Sequence, residues 1–233
     1  MYVKVDVRVE KLRSCLPGAN CGACGFSSCD AYAEALASGD TKTNLCLPAG
    51  EVGFEGINTI LGVSGVEGLA KMTAVVRCLG NSSVMKDKME YDGIKTCFAV
   101  KQLFGGEGAC TYGCLGYGDC VEVCPSDAIC VDDNLARINP RKCTGCAVCV
   151  KVCPPNIIMI QPEPVPVAVM CNNTEKGAVT KTKCTKGCIG CMKCVKICKV
   201  GAITVDEALA SIDYDLCNGC RECVDVCIAN CIA

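Results

Sequence analysis

The sequence has no histidine and no tryptophan, and aromatic residues make up only 4% of its 233 positions. Without histidine the chain cannot supply imidazole to haem, to zinc or to a Rieske centre, and it cannot use histidine for acid–base catalysis. So few aromatic side chains leave little material for a large apolar core. Small domains of this kind often depend on bound metal for stability.

Long apolar runs are also missing. The most apolar stretch, residues 157–170, contains three prolines and is shorter than the ~20 residues that a membrane-spanning helix needs. The first eight residues, MYVKVDVR, contain no apolar segment of signal-peptide length. These absences favour a chain that works in a reducing, cytoplasmic compartment.

Cysteine is present in great excess, with 27 residues. A content above roughly 8–10% usually indicates a disulfide-stapled secreted protein. Here the count is odd, and most cysteines stand two or three residues apart, which is too close to staple distant loops. We therefore interpret the cysteines as metal-binding thiolates.

Two runs have the cysteine spacing of bacterial ferredoxins. One begins at Cys143 and ends at Cys153, and the other begins at Cys188 and ends at Cys198. In this motif three cysteines hold one [4Fe–4S] cluster and the fourth holds a neighbouring one. The runs predict a carrier of single electrons.

An internal repeat places eight cysteines at a constant offset of 74 residues, which indicates a duplication. The first set is Cys110, Cys114, Cys120, Cys124, Cys143, Cys146, Cys149 and Cys153, and the second is Cys184, Cys188, Cys194, Cys198, Cys217, Cys220, Cys223 and Cys227. Each copy is expected to contain two short helices and two small hairpins.

The expected fold class is α+β, built from small iron–sulfur domains. A helical [4Fe–4S] domain (residues 1–70) precedes two tandem bacterial-type two-cluster ferredoxin modules. These are the first copy with an N-terminal extension (residues 71–161) and the second copy (residues 162–233). Helices are expected from Val5 to the Pro17-Gly18 pair, over 28–38, around 57–61 and over 94–104, and strands over 73–78 and 167–171.

The N-terminal domain contains one complete ligand set, Cys21, Cys24, Cys29 and Cys46. Gly22 and Gly25 would let the backbone curl around a cluster where a side chain would crowd it. Four thiolates also suit zinc. The ferredoxin runs downstream favour iron–sulfur over zinc.

The two copies predict four further sets with crossed ligation. In the first copy these are Cys110, Cys114, Cys120 and Cys153, then Cys124, Cys143, Cys146 and Cys149; in the second they are Cys188, Cys191, Cys194 and Cys227, then Cys198, Cys217, Cys220 and Cys223. Because Tyr117 stands where the second copy has Cys191, we expect Cys110 to supply the third thiolate. Together these sets predict five clusters.

Seven cysteines remain. Cys78, Cys97, Cys171 and Cys184 are candidates for a sixth cluster, with buried thiols that act as small apolar side chains as the alternative. Cys15, Cys130 and Cys231 have no predicted role.

Seven lysines crowd residues 176–199, and no acidic residue occurs from 176 to 205. They are interpreted either as compensation for cluster charge or as a docking face for an acidic electron carrier. The formal net charge of −2 and the few aromatics argue against nucleic acid as a partner. No nucleotide-binding loop is recognisable, so flavin, NAD and substrate chemistry are expected on other subunits, and no catalytic residue is predicted.

The segment LPGANCGACG at residues 16–25, followed by Cys29, resembles the B subunit of the Rnf complex, an ion-translocating ferredoxin:NAD+ oxidoreductase. The likeness continues through residues 110–120 and 183–191 and covers nearly the whole chain, in the long clostridial or acetogenic form. It implies a subunit that takes electrons from reduced ferredoxin and relays them to partner subunits.

Members of that family begin with a transmembrane helix, which this sequence does not show. The resemblance therefore implies one of two arrangements. Either an anchor is missing and the chain is peripheral to the cytoplasmic face of the membrane, or the chain is a relative that carries electrons within a soluble flavin-dependent or electron-bifurcating oxidoreductase. A zinc-stabilised scaffold is the alternative from another functional class.

Overall fold

The computed structural model describes residues 6–64, 71–163 and 166–233. In these ranges short helices alternate with two-stranded antiparallel sheets, which confirms the mixed α+β class. Val5, the expected domain boundary at residue 70, and Pro164 in the connector between the copies lie outside the described residues. No helix in the described ranges is long and apolar enough to cross a membrane.

The N-terminal unit consists of α1 (Val7–Ser14), α2 (Cys29–Ser38), a 3-10 turn (Leu47–Ala49) and α3 (Gly50–Leu61). The helix expected over 28–38 is confirmed: Ser28 caps its start through the Ala31 amide, and Gly39 ends it in the left-handed conformation. The apolar core of the N-terminal unit includes Leu12, Tyr32, Leu36 and Ile57.

Helix α3 is longer than the short segment expected around residues 57–61. Its glycines lower intrinsic helix propensity, but tertiary packing requires two of them. A Cβ at Gly53 would lie 2.5 Å from the Cys15 carbonyl oxygen, and one at Gly56 would lie 2.8 Å from Cys15 Sγ. These glycines allow α3 to pack closely against the end of α1.

The first copy contains β1 (Met72–Val76), α4 (Cys97–Gln102), α5 (Asp119–Glu122), β2 (Ile129–Asp132), β3 (Leu135–Ile138), α6 (Val148–Val152) and β4 (Ile158–Pro162). β2 and β3 form a hairpin whose turn residues Asp133 and Asn134 both have positive φ. β1 pairs with the distant β4. The expectation of two hairpins is therefore wrong for this copy, since one pair is a hairpin and the other is non-local.

The second copy contains α7 (Gly177–Lys183), α8 (Lys193–Ile197), β5 (Ile203–Asp206), β6 (Leu209–Ile212) and α9 (Glu222–Asp225). β5 and β6 form the corresponding hairpin. The strand expected over 167–171 is reduced to one bridge between Val169 and Ile232, flanked by reciprocal backbone hydrogen bonds between Ala168 and Ala233. This contact occupies the place that the β1–β4 pair has in the first copy.

Four short helices repeat one local geometry. α5, α6, α8 and α9 each begin directly after a residue in the left-handed conformation, namely Gly118, Ala147, Met192 and Arg221. Each helix carries a buried cysteine in its first turn. The fourfold recurrence of this turn places the buried cysteines in equivalent local settings.

The two copies pack directly against each other. Arg77 Nε donates to the Val169 carbonyl oxygen at 3.3 Å, and Gln161 Nε2 donates to the Tyr214 hydroxyl at 2.6 Å. The Thr185 amide also donates to the Val84 carbonyl oxygen at 3.2 Å. The junction therefore involves residues before the first cysteine of each repeat as well as the repeats themselves.

Candidate metal centres

Small cavities in the two copies are lined by cysteines from separate elements. Four of them enclose about 290 to 360 Å³ of empty space, and each has at least four cysteines in its wall. In three of them the remaining walls are mainly small and aliphatic residues, whereas the fourth is also lined by Arg77, Asn173 and Lys186. Their similar size and their similar cysteine content indicate one kind of occupant.

The first cavity, about 360 Å³, lies between α4, α5 and the residues that follow α6. Its cysteines are Cys97, Cys114, Cys120 and Cys153. Cys97 reaches this position because Asp119, next to Cys120, accepts hydrogen bonds from the Cys97 amide at 2.7 Å and the Phe98 amide at 3.1 Å. The carboxylate thus holds the start of α4 against the start of α5.

This grouping differs from the one expected from the sequence. The structure brings Cys97, and not Cys110, to Cys114, Cys120 and Cys153. The residue that replaces the missing cysteine, Tyr117, is turned to Glu107, and the two side chains form a 2.6 Å hydrogen bond. The third position near Cys114 and Cys120 is taken from a different helix because α4 folds back over this site.

Cys110 lies instead in a cavity of about 340 Å³ at the junction of the two copies. The cysteines of this junction cavity are Cys78, Cys110, Cys171 and Cys184. The sequence offered a signal for this arrangement: Cys110 is the repeat counterpart of Cys184, so equivalent positions meet at one site. The set expected from the sequence had Cys97 in the place that Cys110 takes in the structure.

Two more cavities have the cysteines expected from the ferredoxin spacing. One, about 290 Å³, is lined by Cys124, Cys143, Cys146 and Cys149. The other, about 350 Å³, is lined by Cys188, Cys191, Cys194 and Cys227, and Cys231 also reaches its wall.

The two remaining sets of four are recognised because neighbouring thiols raise the pKa of one cysteine in each set. Burial, together with the nearby Cys24, Cys21 and Cys29, raises the pKa of Cys46 to about 11. Burial likewise raises the pKa of Cys223, to which Cys217, Cys220 and Cys198 contribute. Cys46 and Cys223 therefore each lie near the three other cysteines of their set.

Burial also shapes the chemistry of the thiols in the cavities. It raises the pKa of Cys78, Cys120 and Cys149 to about 12 and that of Cys194 to about 11. A buried thiolate is unfavourable without a compensating cation. These sites therefore suit thiolates that coordinate metal and release their protons when the metal binds.

Backbone amides point at several of the sulfur atoms. The Ala128 amide donates to Cys124 Sγ at 3.3 Å, and the Ala74 amide donates to Cys143 Sγ at 3.4 Å. In the junction cavity, Cys78 Sγ accepts from the Gly80 and Cys114 amides at 3.3 and 3.4 Å. Hydrogen bonds to cysteine sulfur are one of the levers by which a protein sets the potential of an iron–sulfur cluster.

The separation of the side chains favours a group of several atoms over a single ion. A tetrahedral zinc needs four sulfurs at about 2.3 Å from one centre. In the described part of the chain, no three side chains of Cys, Asp or Glu come close enough to hold one ion. The donor set of four thiols that line one cavity fits a [4Fe–4S] cluster.

Three cysteines belong to none of these sets of four. Cys130 is exposed on β2, and Cys15 lies under α3. Cys231 is buried, and its Sγ lies 3.5 Å from Cys227 Sγ. Interaction with Cys231 lowers the pKa of Cys188, while the same interaction raises the pKa of Cys231. No repeat signal marks this position, since the corresponding residue of the first copy is Ile157.

Family models match four parts of the chain. A model described as an Fe-S cluster matches residues 16–48, and a 4Fe-4S dicluster domain matches residues 187–231. Two models of a 4Fe-4S binding domain match residues 136–159 and 108–128. The chain therefore contains several 4Fe-4S binding domains.

Known proteins resemble the chain over most of its length. The B subunit of the Na+-translocating ferredoxin:NAD+ oxidoreductase complex of Acetobacterium woodii is 42% identical over 229 residues, which cover 98% of this chain and 68% of the relative. The B subunit of the proton-translocating complex of Clostridium ljungdahlii is 41% identical, covering 92% and 76%. The B subunit of an ion-translocating oxidoreductase complex of Methanosarcina acetivorans is 37% identical, covering 90% and 79%.

Proposed function

The chain belongs to the family of B subunits of ion-translocating ferredoxin:NAD+ oxidoreductases, and from this premise we propose that it relays single electrons from reduced ferredoxin to partner subunits through six [4Fe–4S] clusters. The observation that carries the proposal is that four cavities are each lined by at least four cysteines, and two further groups of four cysteines influence one another's pKa. Such a cluster, when bound, accepts and returns one electron.

Each proposed cluster would be held by four thiolates. The sets are Cys21, Cys24, Cys29 and Cys46; Cys97, Cys114, Cys120 and Cys153; Cys124, Cys143, Cys146 and Cys149; Cys78, Cys110, Cys171 and Cys184; Cys188, Cys191, Cys194 and Cys227; and Cys198, Cys217, Cys220 and Cys223.

The junction cavity supports the sixth cluster. Its thiols come from both copies, with Cys78 and Cys110 on one side and Cys171 and Cys184 on the other. The buried Asn173 donates from Nδ2 to Cys110 Sγ at 3.5 Å, and the Cys188 amide donates to Cys171 Sγ at 3.2 Å. A cluster at this place would connect the two ferredoxin modules into one electron path.

We further propose the three domains of residues 1–70, 71–161 and 162–233. The separate apolar core of the N-terminal unit supports the first boundary. The two copies each have a core of their own, in which cysteines lie beside aliphatic side chains.

The proposed partners are reduced ferredoxin and other subunits of the same complex. Two of the relatives carry ferredoxin in their names, and free thiols persist in a reducing compartment. We therefore place the chain at the cytoplasmic face of the membrane, where it would meet both partners.

The test is anaerobic purification followed by analysis of iron, acid-labile sulfide and zinc. Six clusters of four irons predict about 24 irons per chain, and the visible absorbance should bleach with dithionite. Reduced ferredoxin should bleach it as well. About 20 irons would contradict the proposal of six clusters, and a colourless zinc-loaded protein would contradict the electron-relay function.

A further inference from the structure

The two copies differ sharply in charge at equivalent positions. Residues 176–205 contain seven lysines and no acid, whereas the equivalent residues 102–131 contain four acids and neither lysine nor arginine. Lys193 and Lys196 on α8 correspond to Asp119 and Glu122 on α5. The first copy carries its positive charge elsewhere, with Arg141 and Lys151 where the second copy has Asp215 and Asp225. The positive charge on and around α7 and α8 is therefore specific to the second copy.

These lysines surround one cluster site. Helix α7 packs closely on the loop that carries Cys188 and Cys191. A Cβ at Gly177 would lie 2.4 Å from the Ile189 carbonyl oxygen, and one at Gly187 would lie 2.4 Å from Thr180 Cγ2. Helix α8 leaves the other end of this loop directly after Met192. Lysines on both helices thus flank the same loop.

We define the basic face as Lys176, Lys181, Lys193 and Lys196, all exposed. Within the described ranges none of the four forms an ion pair, whereas Lys183 pairs with Glu175 and Lys199 pairs with Glu222. The basic face is free to interact with an external anionic group.

An exposed ligand of one proposed cluster lies in the loop that the basic face flanks. Cys191 is exposed, and the adjacent Met192 presents an exposed apolar side chain beside it. Cys220 is the other exposed cysteine among the proposed ligands, but its surroundings have mixed charge, with Arg221 and Lys199 beside Glu222 and Asp225. Only the Cys191 site in the described structure combines an exposed proposed ligand with a positive surround.

We propose that the basic face is the docking site for the electron donor, an acidic one-electron carrier protein, and that electrons enter the chain through the cluster held by Cys188, Cys191, Cys194 and Cys227. This inference rests on the proposed function. Opposite charges on the two proteins accelerate the encounter, and the small apolar contact beside Cys191 brings the two redox centres close.

The experiment compares charge reversals in the purified, iron-loaded full chain. K193E/K196E and K176E/K181E each disrupt the basic face, and the second pair lies outside every proposed ferredoxin-spaced run. K142E/K151E is the matched control, since it changes the net charge equally, both lysines are exposed, and Lys151 follows Cys149 by two residues as Lys196 follows Cys194. Iron content and absorbance spectra establish equal cluster loading.

Binding of an oxidised bacterial two-cluster ferredoxin is measured by titration, and reduction by the same ferredoxin is measured by stopped flow at several salt concentrations. At low salt we expect both basic-face variants to bind more weakly and to be reduced about tenfold more slowly, with the control unchanged. The differences should shrink as salt screens the charges.

The outcomes separate the two proposals. Basic-face variants that bind and react like the control would overturn the docking site, while the electron-relay function would stand. Failure of ferredoxin to reduce even the wild-type chain, under conditions where dithionite does so, would contradict the proposed function itself. Loss of binding to phosphatidylserine vesicles with unchanged ferredoxin kinetics would identify the basic face as a membrane contact and overturn the inference.

Discussion

Asp119 shows how one side chain decides which cysteines can share a cluster. By accepting the amides of Cys97 and Phe98, it holds the start of α4 beside Cys120. Cys97 consequently faces Cys114 and Cys153, and Cys110 is left to the junction cavity. The proposed assignment of two clusters depends on this contact.

Pairs of cysteine substitutions test the assignment. Cys97→Ala with Cys114→Ala removes two ligands of one cluster, so we expect the loss of one cluster, or about four irons. Cys110→Ala with Cys114→Ala removes ligands of two clusters, so we expect the loss of two. Native mass spectrometry under anaerobic conditions counts the intact clusters.

The opposite pattern, two clusters lost in the first pair and one in the second, would restore the grouping expected from the sequence. Cys130→Ala serves as the control, because Cys130 is exposed on β2 and lines none of the four cavities.

Cys231 gives one cluster site a fifth thiol. It is buried 3.5 Å from Cys227 Sγ and lines the same cavity as Cys188, Cys191 and Cys194. We therefore expect Cys227→Ala to retain its cluster, with Cys231 as the replacement ligand and a changed midpoint potential. Iron analysis and a redox titration followed by electron paramagnetic resonance measure both effects.

The first copy offers the matched control. Cys153 is the equivalent ligand, but Ile157 stands where the second copy has Cys231. Cys153→Ala should lose its cluster, and so should Cys227→Ala combined with Cys231→Ala. Equal iron loss in the two single variants would rule out the replacement.

At the scale of elements, α1 and α3 approach so closely that two glycines are required. We expect Gly53→Ala to destabilise the N-terminal unit by about 1–3 kcal/mol, because its Cβ would overlap the rigid Cys15 carbonyl oxygen at 2.5 Å. This overlap outweighs the roughly 1 kcal/mol that alanine gains in helix propensity. Thermal unfolding of the iron-loaded chain measures the effect.

Val52→Ala in the same helix is the control, since Val52 is 85% exposed and its truncation should leave the unfolding midpoint nearly unchanged. An unfolding midpoint of Gly53→Ala at or above that of the wild type would show that α1 and α3 are not in tight contact.

At the scale of the whole molecule, cysteines form a large part of the buried core in the two ferredoxin copies. Buried cysteines such as Cys171, Cys194 and Cys223 stand among the aliphatic residues there, whereas the core of the N-terminal unit centres on Leu12, Tyr32 and Leu36. We expect chelation of the iron to unfold the copies first, because each emptied cavity forfeits its packing.

Hydrogen exchange of the anaerobic protein, read by mass spectrometry before and after treatment with a chelator, checks this order. Protection should fall across residues 71–163 and 166–233 and persist in α2 and α3. A uniform loss of protection across all three units would contradict the expected order of unfolding. Unchanged protection would show that the fold does not depend on metal.

The sequence by itself determined the chemistry: the spacing of cysteines within each run, the absence of histidine and the 74-residue repeat predict iron–sulfur binding and the α+β class. It also located α2, whose caps Ser28 and Gly39 are local signals. Only the tertiary structure decided which distant cysteines share a cavity. Cys97 lacks a ligand neighbour at ferredoxin spacing, and its place follows from the Asp119 contact; Cys78 and Cys171 meet because the two copies pack together. Spacing along the chain specifies a ligand set only where the ligands are local, and sites assembled from separate elements depend on how those elements pack.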